Sequence, residues 1–351
     1  MTTTMKDRRI TTLLYFIVHF LVEIVCFALL SSEYPVIYAA ITALAYDALA
    51  FAPQGPLGEL IHKFRKVPFA TIAVLMMGIS IFLFGNDIFL IHLAGLVLLS
   101  FSNAILHEYG AIETVRDSGG KLAPAAIFVS GGSFGVVIGK FYRLTGFGIY
   151  WLLILVALIE VLMIILSIRS KRLDVNIYDL PKFNVCRTSI PSGIIVLAAF
   201  FVTAIRGYIG YAIPTSWCKE TPDFFILFFL MGLGKALGGV LADKFGAGRV
   251  GVVSTLACIP FLIFGRDVMV ISVFGVMLFS MTMAITYGMC LNAMPSNPGI
   301  SFGVTTIGLF IGTLPTMFIR PSVTLACVLV TVLSVVCSVI MLLTLKMKKE
   351  K

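Results

Sequence analysis

Charge is scarce in this chain. Asp, Glu, Lys and Arg make up 12% of its 351 residues, while 59% are hydrophobic. A soluble protein of this length needs more charge to cover its surface, so a mean hydropathy of +1.05 excludes one. The apolar runs also lack a clean alternation of polar and apolar residues, which excludes a β-barrel. Five of the seven cysteines lie inside apolar runs and none forms a CxxC pair, so they read as small packed hydrophobes rather than a redox or zinc motif. No GxxxxGK[ST] loop and no polar stretch long enough for a soluble domain are present, which argues against an ATP-driven machine. No paired nucleophile and base stands out, so no enzyme and no cofactor are expected.

What is abundant is apolar sequence in runs of about 20 residues, the length that crosses a hydrocarbon core of roughly 30 Å as a helix. The first run is too long for a signal peptide and no small-residue cleavage site follows it, so it is expected to be the first span. Twelve spans are expected, at 11–31, 35–53, 68–85, 88–108, 123–141, 147–168, 192–213, 223–242, 250–265, 268–291, 300–318 and 322–345. The fold class is thus an all-α polytopic membrane protein whose surroundings are a lipid bilayer.

The net charge of +9 calls for no nucleic acid, because its distribution accounts for it. With the N-terminus inside, 19 of the 26 Lys and Arg fall in cytoplasmic segments, five fall outside, and Arg206 and Lys235 fall within spans. This bias orients both termini to the cytoplasm. An odd number of spans would place the basic tail Lys346–Lys351 outside, so even parity is favoured. The longest polar stretch, residues 169–191, carries five basic residues and the breakers Pro181 and Pro191. It reads as a linker between a bundle over 1–168 and a second over 192–351.

The chain repeats itself at half its length. Gly239-Val-Leu-Ala-Asp-Lys-Phe-Gly-Ala-Gly-Arg249 joins two apolar runs, and Gly55-Pro-Leu-Gly-Glu-Leu-Ile-His-Lys-Phe-Arg65 lies 184 residues earlier. Both have Leu two residues after the Gly, an acid after four and Arg after ten. A second echo relates the openings of the fifth and eleventh spans, Ala123–Gly139 and Asn297–Gly312.

The segment Gly239–Arg249 resembles the loop signature of the major facilitator superfamily, which joins the second and third helices of a six-helix half. The resemblance implies twelve helices in two pseudo-symmetric six-helix bundles, with a substrate site at midplane. It also implies a cytoplasmic latch at Gly239, Asp243 and Arg249, echoed at Gly55, Glu59 and Arg65. The first copy departs from the signature, with His62 for the second Gly and no basic residue directly after the acid. Helix five lacks the Gly-Pro motif of the antiporters; Phe134 precedes Gly135. His19-Phe-Leu-Val-Glu23, the stretch Asn103–Gly110 and the Gly-Gly-Ser helix after Lys121 distantly resemble the fosmidomycin-resistance branch, which would imply efflux of a small anionic compound.

Ionisable groups inside spans are functional candidates, because lipid makes them expensive. Glu23 and Asp47 are proton-coupling candidates in the first two spans, with His107 in the fourth. His19 lies one turn before Glu23 on the same face, and Asn103 one turn before His107. Arg206 suits bidentate contact with a carboxylate or phosphate, and Lys235 suits a point contact with the same anion. Substrate-binding candidates are therefore Arg206, Lys235, His19 and Asn103. Across a cavity the acids of the first half and the cations of the second are placed to pair when the site is empty. His107-Glu108 begins a HExxH pattern, but Ala111 stands where the second His would be, so no metal is expected. Gly131, Gly135 and Gly139 form a small-residue stripe for close helix packing. Glu160, in the sixth span, is expected to be structural.

The expectation is a monomeric secondary transporter in a bacterial plasma membrane. It would move a small, anionic organic solute by alternating access, coupled to H+, with Na+ as the other coupling ion open. The direction of transport is open. The alternative is a transporter-like receptor that binds its ligand without moving it.

Overall fold

The computed structural model describes residues 5–32, 36–84, 86, 88–172, 180–319 and 321–347. Part of the expected linker, residues 173–179, and the basic tail from 348 lie outside the described residues. Among the described residues the regular structure is helical apart from one isolated bridge, with turns and irregular connections between the helices.

In chain order the helices are α1 (Met5–Ser32), α2 (Val36–Phe51), α3 (Gln54–Lys63), α4 (Phe69–Phe84), α5 (Phe89–Arg116), α6 (Ala123–Phe141) and α7 (Leu152–Arg172). The second series is α8 (Ser192–Ala212), α9 (Thr221–Phe245), α10 (Ala247–Phe264), α11 (Met269–Ser280), α12 (Met283–Ala293), α13 (Pro298–Phe318) and α14 (Val323–Thr344). Among the described residues ten segments are long and apolar enough to cross a membrane, and α4 is a shorter apolar helix. Expected spans and observed helices agree closely except where a helix breaks or runs on. The second span is α2, with α3 a further helix beyond its expected end; the tenth divides into α11 and α12, and α5 runs eight residues past the expected end.

The α2–α3 break follows from Pro53, which has no N–H and crowds the preceding turn. Gln54 repairs part of the loss: its side-chain amide donates to the Ala50 carbonyl at 2.8 Å. That repair holds Gln54 fully buried beside α5. The α9–α10 connection is a single residue, Gly246, at φ 96°, a left-handed conformation that glycine adopts without a Cβ penalty.

α1 packs along α6, α5 and α7, and α8 packs along α13, α12 and α14, so the pairing α1–α6 recurs as α8–α13. The two groups meet chiefly along two seams, α6 against α9 and α3 against α13, with α2 and α5 also touching α13 and α12 touching α6. Large apolar side chains such as Leu75, Phe82, Ile154 and Val332 are left exposed on the outer faces, as a bilayer requires.

One end of the molecule gathers the start of α1, the α5–α6 and α9–α10 connections, the linker and the chain's last described residues. Arg8 lies against Gly119, the Lys182 carbonyl against Gly120, and the Lys346 carbonyl against Gly248. The linker is held there. Cys186 bridges antiparallel to Leu345, and Lys346 N donates to the Val185 carbonyl at 2.9 Å. Asn292 Oδ1 accepts from Val185 N and Cys186 N at 2.9 and 3.1 Å.

Candidate functional site

The terminus-bearing end is sealed at both meeting places. Asp243, on the last turn of α9, accepts hydrogen bonds from the backbone N–H groups of Leu122 and Ala123 at 2.8 and 2.9 Å. These open α6, whose N-cap residue Leu122 has no capping side chain of its own. A carboxylate here satisfies orphan donors and meets the positive end of the helix dipole. The partner is therefore the N-terminus of a helix in the other group, not that of α10. Gly239, one turn earlier, faces Ala126 and the Leu122 carbonyl, where a Cβ would collide.

Arg249 is exposed and forms no ion pair among the described residues, so the geometry does not bear out its pairing with Asp243. The first copy works differently. Gly55 faces Gly303 and Gly58 faces Gly299, backbone on backbone, where α3 crosses α13. Glu59, the counterpart of Asp243, is exposed, and α13 carries no side-chain cap. Arg65 folds back on its own chain, donating from Nε to the His62 carbonyl at 2.9 Å.

Glu23, His19, His107 and Asn103 come together between α1 and α5. His107 Nε2 lies 2.8 Å and His19 Nε2 3.8 Å from Glu23 Oε1. Asn103 Nδ2 lies 3.2 Å from the same oxygen and donates to the Tyr46 hydroxyl at 2.6 Å, with Cys26 Sγ at 3.3 Å. All four expected residues are 1–6% exposed. His19 and Glu23 share a face because they are one helical turn apart. His107 reaches them because α5 lies against α1. Gly132 of α6 leaves room for the His19 ring, and the His19 Nδ1–H donates to the Phe128 carbonyl at 2.8 Å. Gln54 Nε2 stands 3.4 Å from His107 Nδ1.

Asp47 is not part of this group. It is partly exposed on α2 and forms no ion pair among the described residues. The Lys140 ammonium lies over the Phe27 and Phe228 rings at 5.7 and 5.0 Å.

Arg206 and Lys235, the in-span cations of the second group, pair with no carboxylate among the described residues. The expected acid–cation pairing across the centre is thus not formed: Glu23 lies beside His19 and His107 within its own group. Arg206 is 7% exposed, donates from Nη1 to Met283 Sδ at 2.9 Å, and lies 5.5 Å from the Phe279 ring, both within its own group. Lys235 reaches across instead, donating to Ser133 Oγ on α6 at 2.7 Å.

The remaining expectations fall into place as packing. The stripe Gly131, Gly135, Gly139 sits against the α1 carbonyls of Phe16, Phe20 and Ile24. Glu160 accepts from Thr71 Oγ1 at 3.0 Å, tying α7 to α4. Gly58, Gly299, Tyr46, Gln54 and Glu108 were missed. Glu108 is fully buried against Gly58 at the α3–α13 crossing, and neither of its oxygens has a hydrogen-bond partner among the described residues. The proline that closes the expected second span, Pro53, was the available signal for Gln54.

The overall architecture has counterparts. The chain is similar to a single-residue variant of the E. coli fucose:proton symporter FucP, with a TM-score of 0.62 at 13% identity over 95% of this chain and 98% of that one. It is similar to FucP, a major facilitator superfamily transporter, in the outward conformation, with a TM-score of 0.60 at 13% identity over 95% and 98% of the two chains. It is also similar to the human organic anion transporter MFSD10 (TETRAN), with a TM-score of 0.60 at 14% identity over 96% and 98%. No family model and no curated protein matches the chain. The chain therefore has the major facilitator fold.

Proposed function

We propose that this chain, built on the major facilitator fold, is a secondary transporter that moves a small organic anion by alternating access coupled to protons. One observation carries the reading. Two helix groups are closed at one end by contacts between them, while Glu23 of the first and Arg206 of the second are buried and Lys235 of the second reaches Ser133 of the first. Alternating access needs such an arrangement: a gate that opens without breaking either group, and polar groups in the membrane that a solute can reach.

The α1–α7 and α8–α14 groups are taken as the two six-span bundles, α2–α3 and α11–α12 each serving as one broken span. The excess of Lys and Arg at the sealed end makes that end cytoplasmic, so the state described faces outward. The solute's anionic group is assigned to Lys235, which bridges the bundles, with Arg206 behind it. The coupling proton is assigned to Asp47 rather than Glu23. Asp47 is partly exposed on α2, whereas Glu23 is buried and its carboxylate accepts from Asn103. The likeness to a proton symporter and an organic anion transporter supports this reading at the level of the fold.

The test is flux into liposomes carrying the purified protein, with a panel of organic anions and an imposed pH gradient. The expected result is anion-dependent proton movement, lost in Asp47→Asn, with anion uptake reduced at least about tenfold in Lys235→Met, about 1.4 kcal/mol of binding. Saturable binding without flux would replace the transporter with a receptor. Flux indifferent to pH would remove Asp47 from the coupling.

A further inference from the structure

We propose that His19, Glu23 and His107 form a binding site for one divalent transition-metal ion. The inference stands apart from transport, since it concerns three side chains within the N-terminal group and holds whether or not a solute moves.

The ligand atoms of the three residues lie within 4.8 Å of one another. Ligands about 2.1 Å from a tetrahedral ion stand about 3.4 Å apart. The two nitrogen–oxygen separations, 2.8 and 3.8 Å, bracket that value. The donor set is two imidazoles and one carboxylate, which suits zinc, cobalt or nickel and leaves a coordination position open.

The hydrogen bonds around the group also leave electron pairs facing inward. The Phe128 carbonyl can only accept, so His19 carries its proton on Nδ1 and turns the Nε2 lone pair towards Glu23. Backbone support of this kind is what orients a metal-ligating imidazole. His107 Nε2 is close to Glu23 but has no aligned hydrogen bond, and Glu23 Oε2 has no partner among the described residues. Buried polar atoms normally find partners, so two without them in one cluster, facing a third lone pair, leave a place that a cation fills. The imidazole planes are 78° apart with centroids at 4.3 Å, so the rings approach the carboxylate from different directions instead of stacking. Asn103 fixes the carboxylate from outside the cluster. The HExxH spacing missed this site because its three ligands come from two helices.

The experiment uses tag-free, full-length protein in detergent, stripped with a chelator and titrated with Co2+ and then Zn2+. The expected result is one ion per chain and a visible Co2+ absorption band that Zn2+ abolishes. His107→Gln and Glu23→Gln should weaken binding at least about 100-fold, beyond the 10- to 100-fold typical of a lost supporting residue. His92→Gln, outside the cluster, should bind like the wild type. The wild-type spectrum decides the matter even if a variant fails to fold. No band and no stoichiometric Zn2+ binding would overturn the proposal, as would equal affinity in wild type and both folded cluster variants.

Discussion

The α3–α13 crossing offers the sharpest test of how the closed end is held. A Cβ added at Gly299 would lie 2.6 Å from Gly58 Cα and 2.7 Å from its carbonyl carbon. Both atoms are backbone, so no side-chain rotation relieves the contact. Ordinary contact begins near 3.4 Å, so the helices must separate by 3.4 minus 2.6, or about 0.8 Å. Overpacking of this kind costs about 1–3 kcal/mol. The cost falls only on the state in which α3 and α13 touch, whereas the gain in helix preference from Gly to Ala is common to both states. A differential of about 2 kcal/mol moves a two-state equilibrium about 30-fold towards the open form of this end. Distance distributions between spin labels at the exposed positions Glu59 and Ser296 would report that opening. Gly193→Ala, where nothing lies within 4 Å of the added atom, is the control. A folded Gly299→Ala protein whose label distances match the control would refute the idea that this glycine contact gates the end.

Asp243→Asn keeps the size of the α6 cap but removes its charge, and should weaken the seal by about 1 kcal/mol, read as a partial opening by spin labels across the α6–α9 crossing. Gly135→Ala drives a methyl into the Phe20 carbonyl within one group, so it should lower thermal stability by about 1–3 kcal/mol without changing the distances across either crossing. At the opposite end, Asp267 accepts from Ser216 Oγ and, at 2.9 Å, from Arg266 Nε. The Ser216 hydrogen bond first, then that from Arg266, holds its carboxyl below the usual carboxylate range. A depressed folded pKa adds stability above the unfolded value of about 3.9, and that stability is lost as pH falls through the folded value. Ser216→Ala should therefore lower the melting temperature at neutral pH, with the difference closing below about pH 4.

The spans were legible because lipid imposes one rule on every residue of a run, and the polar linker interrupts it. Their ends were less so: α5 continues to Arg116 because its last two turns pack within the protein rather than in lipid. His19 and Glu23 were legible as neighbours because i and i+4 lie on one helix face. Their meeting with His107 was not, since nothing local to α1 says which face of α5 lies against it. The loop signature located Asp243 but not its partner, because the capped N–H groups belong to a helix 121 residues away in sequence. Arg206 shows the opposite limit: an arginine in a span marks a site that matters, yet Met283 and Phe279 occupy its near face, so charge alone did not indicate its surroundings.

The two copies of the loop share a glycine but not a mechanism, and the difference has an energetic consequence. At α6–α9 the seal is a carboxylate on helix N–H groups as well as a close helix contact; at α3–α13 it is backbone contact between glycines, with Glu59 exposed. Both crossings close the same end, so both act on one equilibrium between closed and open. They share no residue, and effects at separate sites add to within about 0.5 kcal/mol. Combining Gly299→Ala with Asp243→Asn should thus give the sum of the two shifts, about 3 kcal/mol, or roughly 150-fold in the open-to-closed ratio. Label pairs across the two crossings should report the same open fraction in every variant. A double variant in which one crossing opens while the other stays shut would show that the helix groups do not move as rigid bodies, and the single two-state gate would have to be abandoned.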